Sequence, residues 1–348
     1  MAAGGAVGDH GRSAARRGVP AVRRSGAVVK DRVVDWGYAA GWRVVRSVPD
    51  AVARRAFDGL ADLALRRGGP TSRQLARNLA RVVGGPPPPS LLHAAMRSYA
   101  RYWREAFRLP SVDHAAMVEL IDRGTRGAEH VREAHERGRG VVFALPHMGN
   151  WDAAAVWLIH NGVPFTTVAE RLRPESLYRR FVSYREDLGM EVLPLTGGAR
   201  PPAAVLADRL RAGGAVCLLG DRDLTRSGVE VTFFGEPALM PPGPALLAAT
   251  TGATLVPVSL WFDGAGWGQR IGAPIPVAAR ERLRDRVAQT TQSLADWFAV
   301  EIAAHPTDWH MVQRLWLADL DPDRVAGTAR PAGGVVRAVS DRWDGAGG

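Results

Sequence analysis

Val141-Val-Phe-Ala-Leu-Pro-His-Met-Gly-Asn-Trp-Asp-Ala-Ala-Ala-Val-Trp-Leu-Ile-His-Asn-Gly162 reads, in order, as a buried strand, a turn and a helix. The apolar run Val141–Leu145 is short enough for a strand buried on both faces, and Pro146 ends it. Asn150 is a helix cap, and Asn161 with Gly162 stops the helix. Asp152 then falls in the first helical turn, while His147 precedes the helix. Five residues on an ideal helix rotate about 140°, so His147 and Asp152 share no helical face. A turn folded back on the helix start would let them meet. A carboxylate accepting one imidazole N–H fixes the tautomer and leaves the other nitrogen as a base for an attacking alcohol. Taken alone, the same two residues serve equally well as a turn cap and a partner of the helix dipole.

Working outward, the pattern repeats. Phe165–Ala169, Val192–Leu195, Ala215–Leu219 and Leu255–Leu260 are further short apolar runs, separated by helical stretches. Strands alternating with helices predict an α/β fold with a mostly parallel central sheet flanked by helices. The runs end in polar residues: Glu170 and Arg171, Thr196, and Asp221-Arg-Asp223. In a parallel sheet those ends converge on one edge, where such folds place ligands. Asp221 or Asp223 can supply a second carboxylate to His147, with Arg222 balancing the charge. Glu170, and Arg185 in Tyr184-Arg-Glu-Asp-Leu188, are candidates to hold donor phosphates or a tetrahedral oxyanion.

Before this core the chain is helical. Helices are expected over Val28–Val48, Ala51–Arg67, Ser72–Val82 and Leu91–Phe107, with Gly84-Gly-Pro-Pro-Pro-Pro-Ser90 as a break. In the first, Val33, Trp36, Gly37, Ala40 and Val44 share one face. Trp36, Tyr38, Trp42 and the flanking arginines suit either a lipid headgroup layer or a helix packed on the protein's own core. The domain expectation is a basic tail over 1–27, one folded domain over 28–320 (helical and membrane-facing over 28–110, α/β over 140–320), and a second tail over 321–348. Neither tail shows sustained apolar periodicity.

With 348 residues and 46% hydrophobic residues, the chain can bury a sizeable core. Its net charge of +10 favours an anionic partner, and dispersed arginines without a DNA-reading motif argue against nucleic acid. No apolar stretch is long enough to span a bilayer, and the first 27 residues lack a secretory apolar region, so the cytoplasmic side of the cell membrane is expected. The one cysteine, Cys217, allows no intrachain disulfide and reads as a structural thiol. There is no G-x-S-x-G elbow, P-loop, complete dinucleotide fingerprint or zinc spacing. Direct transfer from an activated donor, with neither metal nor cofactor, remains.

His147 to Asp152 resembles the H-x4-D/E motif of glycerolipid and lipid A late acyltransferases. The surrounding blocks are similar to those of an actinobacterial branch, the phosphatidylinositol mannoside acyltransferases. They are Asp35-Trp-Gly-Tyr-Ala-Ala-Gly-Trp-Arg43, Arg97–Pro110, Gly220-Asp-Arg-Asp-Leu-Thr225, Val231-Thr-Phe-Phe-Gly-Glu-Pro237 and Asp308-Trp-His-Met311. The resemblance implies a glycerol-3-phosphate acyltransferase-like fold and a role in phospholipid and glycolipid biosynthesis. It also implies an acyl-CoA co-substrate, palmitoyl in particular, a phosphatidylinositol mannoside acceptor, and an anionic inner-leaflet surface as partner. Acceptors of other glycolipid or lysophospholipid type are the alternative. By the same resemblance His147 is the base, Asp152 orients the site, and Asp221 completes a relay. Glu170 and Arg185 match polar positions around sugar and donor, and Ser227 and Thr250 line the CoA channel. Where the family often has Glu in the relay, Asp221 is one methylene shorter, which leaves its contact with His147 for the structure to test.

Overall fold

The computed structural model describes residues 41–171, 175–223, 228–277 and 282–320. The two tails, the Trp36–Tyr38 part of the first expected helix, Leu224-Thr225 and Ser227 lie outside the described residues.

Strand β2 (Val141–Leu145) is central, and both its neighbours run parallel to it: β8 (Thr254–Asp263) on one side and β5 (Ala215–Leu219) on the other. Beyond β5 lie β3 (Phe165–Ala169) and β4 (Glu191–Pro194), also parallel. Beyond β8, strand β9 (Gly266–Ile271) runs antiparallel and the two-residue β1 (Thr125–Arg126) pairs with it, giving the order β1-β9-β8-β2-β5-β3-β4. The mostly parallel α/β architecture expected from the sequence is therefore present. Three of the five expected strands have the expected bounds, and the other two differ by one to three residues at their ends.

The apolar runs are continuous because both faces are covered. Val141, Phe143 and Leu145 pack beneath α4 (His114–Gly124), α5 (Ala128–Glu136) and α6 (Trp151–His160). Val142 and Ala144 point the other way, under α8 (Pro202–Arg211), α9 (Gly243–Thr251) and α10 (Leu283–Ala304). Burying both faces removes any polar alternation from the sequence. Cys217 lies on β5, and burial raises its thiol pKa, as for an inert structural thiol.

The N-terminal helices α1 (Asp50–Arg67), α2 (Pro70–Val83) and α3 (Pro89–Arg108) form a third cluster around Leu75, Leu79, Ala95 and Met96. Helical residues 41–47 precede them. Trp42 does not face outward: its indole donates to the Phe107 carbonyl at 2.9 Å, and its ring packs on Phe107, Phe181 and Tyr184. At this end of the expected helix, packing on the protein itself is the arrangement found. No helix among the described residues is long and apolar enough to cross a membrane.

The helical segment is fastened to the body by polar ties. Asn78, fully buried on α2, donates to the carbonyls of Met311 (2.7 Å) and Gln313 (2.9 Å). Arg81 forks onto Asp319 and also meets Glu236 on β7 (Glu236–Met240), which pairs with β6 (Val229–Phe233) in a separate hairpin. Arg101 holds the carbonyls of Gly264, Ala265 and Gly266 at the β8–β9 turn. Removing the Asn78 amide takes the donor from the buried Met311 carbonyl and a second bond from the more exposed Gln313 carbonyl. Asn78→Ala is expected to lower unfolding free energy by about 2–4 kcal/mol, read as a shift in the denaturant midpoint with an unchanged slope.

Candidate active site

The site begins where β2 ends. Gly149 has φ +56° and its missing Cβ would lie 2.7 Å from the Leu260 carbonyl carbon, so only glycine lets the turn pass this close to β8. Asn150 caps α6, its side-chain oxygen accepting the Ala153 N–H at 3.0 Å. On the neighbouring strand end, the Gly220 N–H donates to the Leu145 carbonyl at 2.7 Å, which draws Asp221 against the His147 turn.

Asp221 is completely buried. One carboxylate oxygen lies 2.6 Å from His147 Nδ1; the other accepts from the His147 backbone N–H and from the Trp309 indole, each at 2.9 Å. Burial alone would raise the Asp221 pKa, but the nearby His147 and these hydrogen bonds together hold it below the usual carboxylate range. An ionised Asp221 makes Nδ1 the protonated nitrogen, leaving the lone pair on Nε2, which makes no hydrogen bond among the described residues. The shorter side chain still reaches His147 because backbone pairing has brought the two strand ends together. Between the two aspartates of the Asp-Arg-Asp block, Asp221 is the one that meets His147.

Asp152 is placed differently from the expectation. It is buried in the first turn of α6, but its partners are Arg185 on α7 (Glu175–Asp187), at 2.8 and 3.2 Å, and the Tyr102 hydroxyl at 3.3 Å. The turn at Gly149 directs the His147 ring towards β5, while the start of α6 directs Asp152 towards α7. The expected His147–Asp152 pair is thus two pairs, His147–Asp221 and Asp152–Arg185. Burial works against the Arg185 charge, yet Asp152 and its hydrogen bonds raise the Arg185 pKa overall. Trp151 lies between the two pairs, its ring 5.8 Å from that of His147 and 4.0 Å from that of Tyr102.

Of the other expected residues, Glu170 is exposed just after β3, on the strand-end edge that carries His147. Thr250 is not brought to that edge. It ends α9 near the start of β8, where Thr254 pairs with Val141, and its hydroxyl donates to the Leu246 carbonyl of its own helix at 2.7 Å. An i−4 backbone bond is the ordinary use of a helical threonine hydroxyl.

Residues 308–311 form a strap behind the His147 turn. The Gly149 N–H donates to the Asp308 carbonyl (2.9 Å), the His310 N–H donates to the His147 carbonyl (2.7 Å), and Met148 bridges Trp309. The Ser98 hydroxyl donates to Asp308 Oδ1 at 2.6 Å and lies 3.0 Å from His310 Nε2. With that hydroxyl proton committed to Asp308, Nε2–H of His310 donates to the serine oxygen. The His310 ring is enclosed by Tyr99, Tyr102, Trp151 and Phe262, and its Nδ1 is buried with no hydrogen-bond partner among the described residues. Burial, then the neighbouring His147, push the His310 pKa down to about 3. Glu105 is a second unforeseen hub, accepting from Arg101, Asn150 and Trp267. Both hubs fall in sequence blocks singled out by resemblance, but no spacing rule marked their roles.

A family model described as bacterial lipid A biosynthesis acyltransferase matches residues 25–318. A phosphatidylinositol mannoside acyltransferase of Mycolicibacterium smegmatis is 56% identical over 298 residues, covering 85% of this chain and 95% of the relative. One from Mycobacterium tuberculosis is 54% identical over 295 residues, covering 84% and 91% respectively.

The neutral, caged His310 gives stability a signed pH dependence. Its folded pKa lies below the ordinary histidine value of 6.5, so the unfolded chain binds the extra proton and stability falls as pH drops below 6.5 towards about 3. Between pH 6.5 and 5 this group should cost about 2 kcal/mol. Urea unfolding at both pH values is expected to show that loss in the wild type and a clearly smaller one in His310→Phe.

Proposed function

The chain belongs to the bacterial lipid A biosynthesis acyltransferase family and is an O-acyltransferase, and from that premise we propose that it moves a long-chain acyl group, palmitoyl in particular, from acyl-CoA to a mannose hydroxyl of a phosphatidylinositol mannoside. The 2.6 Å contact between His147 Nδ1 and buried Asp221 carries the proposal. It leaves Nε2 as the basic nitrogen on a side chain that is 23% exposed at the strand-end edge.

In this mechanism Nε2 takes the proton from the sugar hydroxyl as its oxygen attacks the thioester carbonyl. The tetrahedral intermediate collapses, the C–S bond breaks, and the imidazolium returns the proton to the departing CoA sulfur. Asp221 stabilises the imidazolium while it exists. Asp152 acts through Arg185, whose guanidinium it holds in a fixed orientation beside the site, and Glu170 stands on the same edge for contact with sugar or donor. The mannoside acceptor of the related enzymes supports a mannoside acceptor here; the absence of a covalent-nucleophile motif supports direct transfer from CoA. No metal or cofactor enters any step.

Residues 28–320 form the acyltransferase domain in this reading, docked on the anionic inner leaflet of the cell membrane. Along α1, Val52, Leu60 and Leu63 are exposed at helical spacing, and Arg55, Arg66 and Arg67 are exposed around them. Apolar side chains between arginines suit the headgroup boundary, and the net charge of +10 suits anionic lipid.

Purified protein given radiolabelled palmitoyl-CoA and phosphatidylinositol mannoside should form the acylated glycolipid. His147→Ala should lower kcat by about 10²–10⁴-fold; activity retained in that variant would falsify the mechanism. For the membrane proposal, Leu60→Asp combined with Leu63→Asp should weaken binding to phosphatidylinositol-containing vesicles by about tenfold or more. Unfolding should be almost unchanged because both side chains are exposed, and unaltered vesicle binding would remove α1 as the docking face.

A further inference from the structure

We infer that Trp309 is a positioning residue for the acyl-transfer reaction, its indole N–H holding Asp221 in the orientation in which that carboxylate supports His147. The inference rests on the mechanism proposed above and adds a residue that touches neither substrate.

The argument starts from the hydrogen bonds of Asp221. A fully buried carboxylate must find its donors inside the protein. Two come from His147 itself, and the third is the Trp309 indole at 2.9 Å, on the same oxygen that accepts the His147 backbone N–H. That sharing matters for geometry. With Oδ2 pinned by two donors, the carboxylate cannot rotate, and Oδ1 stays directed at Nδ1.

Trp309 is itself held. It is fully buried, its ring packs edge-on against Phe233 and Trp316, and its backbone neighbours bind the catalytic turn through the Asp308 and His310 pairings already described. The strap is anchored at Ser98 through Asp308 and at Asn78 through the Met311 carbonyl. The indole thus reaches Asp221 from a frame that spans three parts of the chain. The other titratable groups around this turn are accounted for: His310 is kept neutral, Asp308 is held by Ser98 and the Phe262 N–H, and Asp152 is paired with Arg185 and Tyr102.

The sign of the effect follows. Removing a donor concentrates negative charge on Asp221, which then favours the imidazolium more strongly, so the dyad takes up its inactivating proton at a higher pH. Trp309→Phe keeps an aromatic ring and deletes the N–H. It should lower kcat by about 10- to 100-fold, the worth of one hydrogen bond to a charged group. The acid limb of the kcat/KM profile should move up by about half a pH unit or more, while KM for donor and acceptor stays within about twofold. An acid limb at the wild-type pH, with loss of thermal stability alone, would overturn the inference and make Trp309 a packing residue.

Should Trp309→Phe fold poorly, the wild type supplies the second test. In a ¹⁵N-labelled sample the Trp309 indole N–H resonance should titrate with the midpoint of the acid limb; a resonance indifferent to pH over that range overturns the proposal. The two readings fail separately. No acyl transfer by wild-type protein sinks the proposed function, whereas transfer with an unshifted acid limb, or an indole that does not titrate, sinks only the role of Trp309.

Discussion

A buried negative charge governs the arrangement of this protein. Asp221 is wholly removed from water, and an isolated carboxylate in that position would protonate. What keeps it ionised is convergence: a parallel sheet that places the ends of β2 and β5 side by side, a turn that folds His147 onto it, and a strap that adds Trp309. Each of these has a structural cost elsewhere. The turn requires Gly149 at positive φ, and the strap needs buried polar anchors in the N-terminal helices.

The second buried charge pair follows the same logic on the other side of Trp151. Asp152 and Arg185 satisfy one another in a fork, with Tyr102 completing the carboxylate's partners. Breaking such a pair leaves an unpaired charge in the interior, which is far more costly than never having had one. The H-x4-D spacing therefore reports two charge pairs, not one. His147 belongs to the end of a strand and Asp152 to the start of a helix, and the intervening turn sends them to different partners.

The central sheet was readable because strands covered on both faces leave uninterrupted apolar runs, as at Val141–Leu145 and Ala215–Leu219. The convergence of polar strand ends was readable for the same reason, once the strands were taken as parallel. Strand β9 and the β6–β7 hairpin escaped because their residues are mixed: Gln269 and Arg270 interrupt one, and Glu230 and Thr232 the other. Pairing between Asp152 and Arg185 was invisible, since it depends on how a loop and two helices close over 33 positions. The place of Thr250, away from the strand-end edge, was hidden for a simpler reason. A hydroxyl near the end of a helix looks the same in sequence whether it lines a channel or bonds to its own backbone. His310 and Trp309 stood in a block that resemblance singled out, but nothing local assigns a side chain to a carboxylate 88 positions upstream.

The strap also fixes when the protein can become an enzyme. The Met311 carbonyl meets Asn78 across 233 positions of chain, and the His147 turn is closed by residues that follow every strand of the sheet. A ribosome releases the helices and the sheet first, so the histidine waits through most of translation without its full set of neighbours. Contacts this distant in sequence close slowly. During synthesis the His147–Asp221 pair thus waits for its Trp309 donor until nearly all of the described residues have been made.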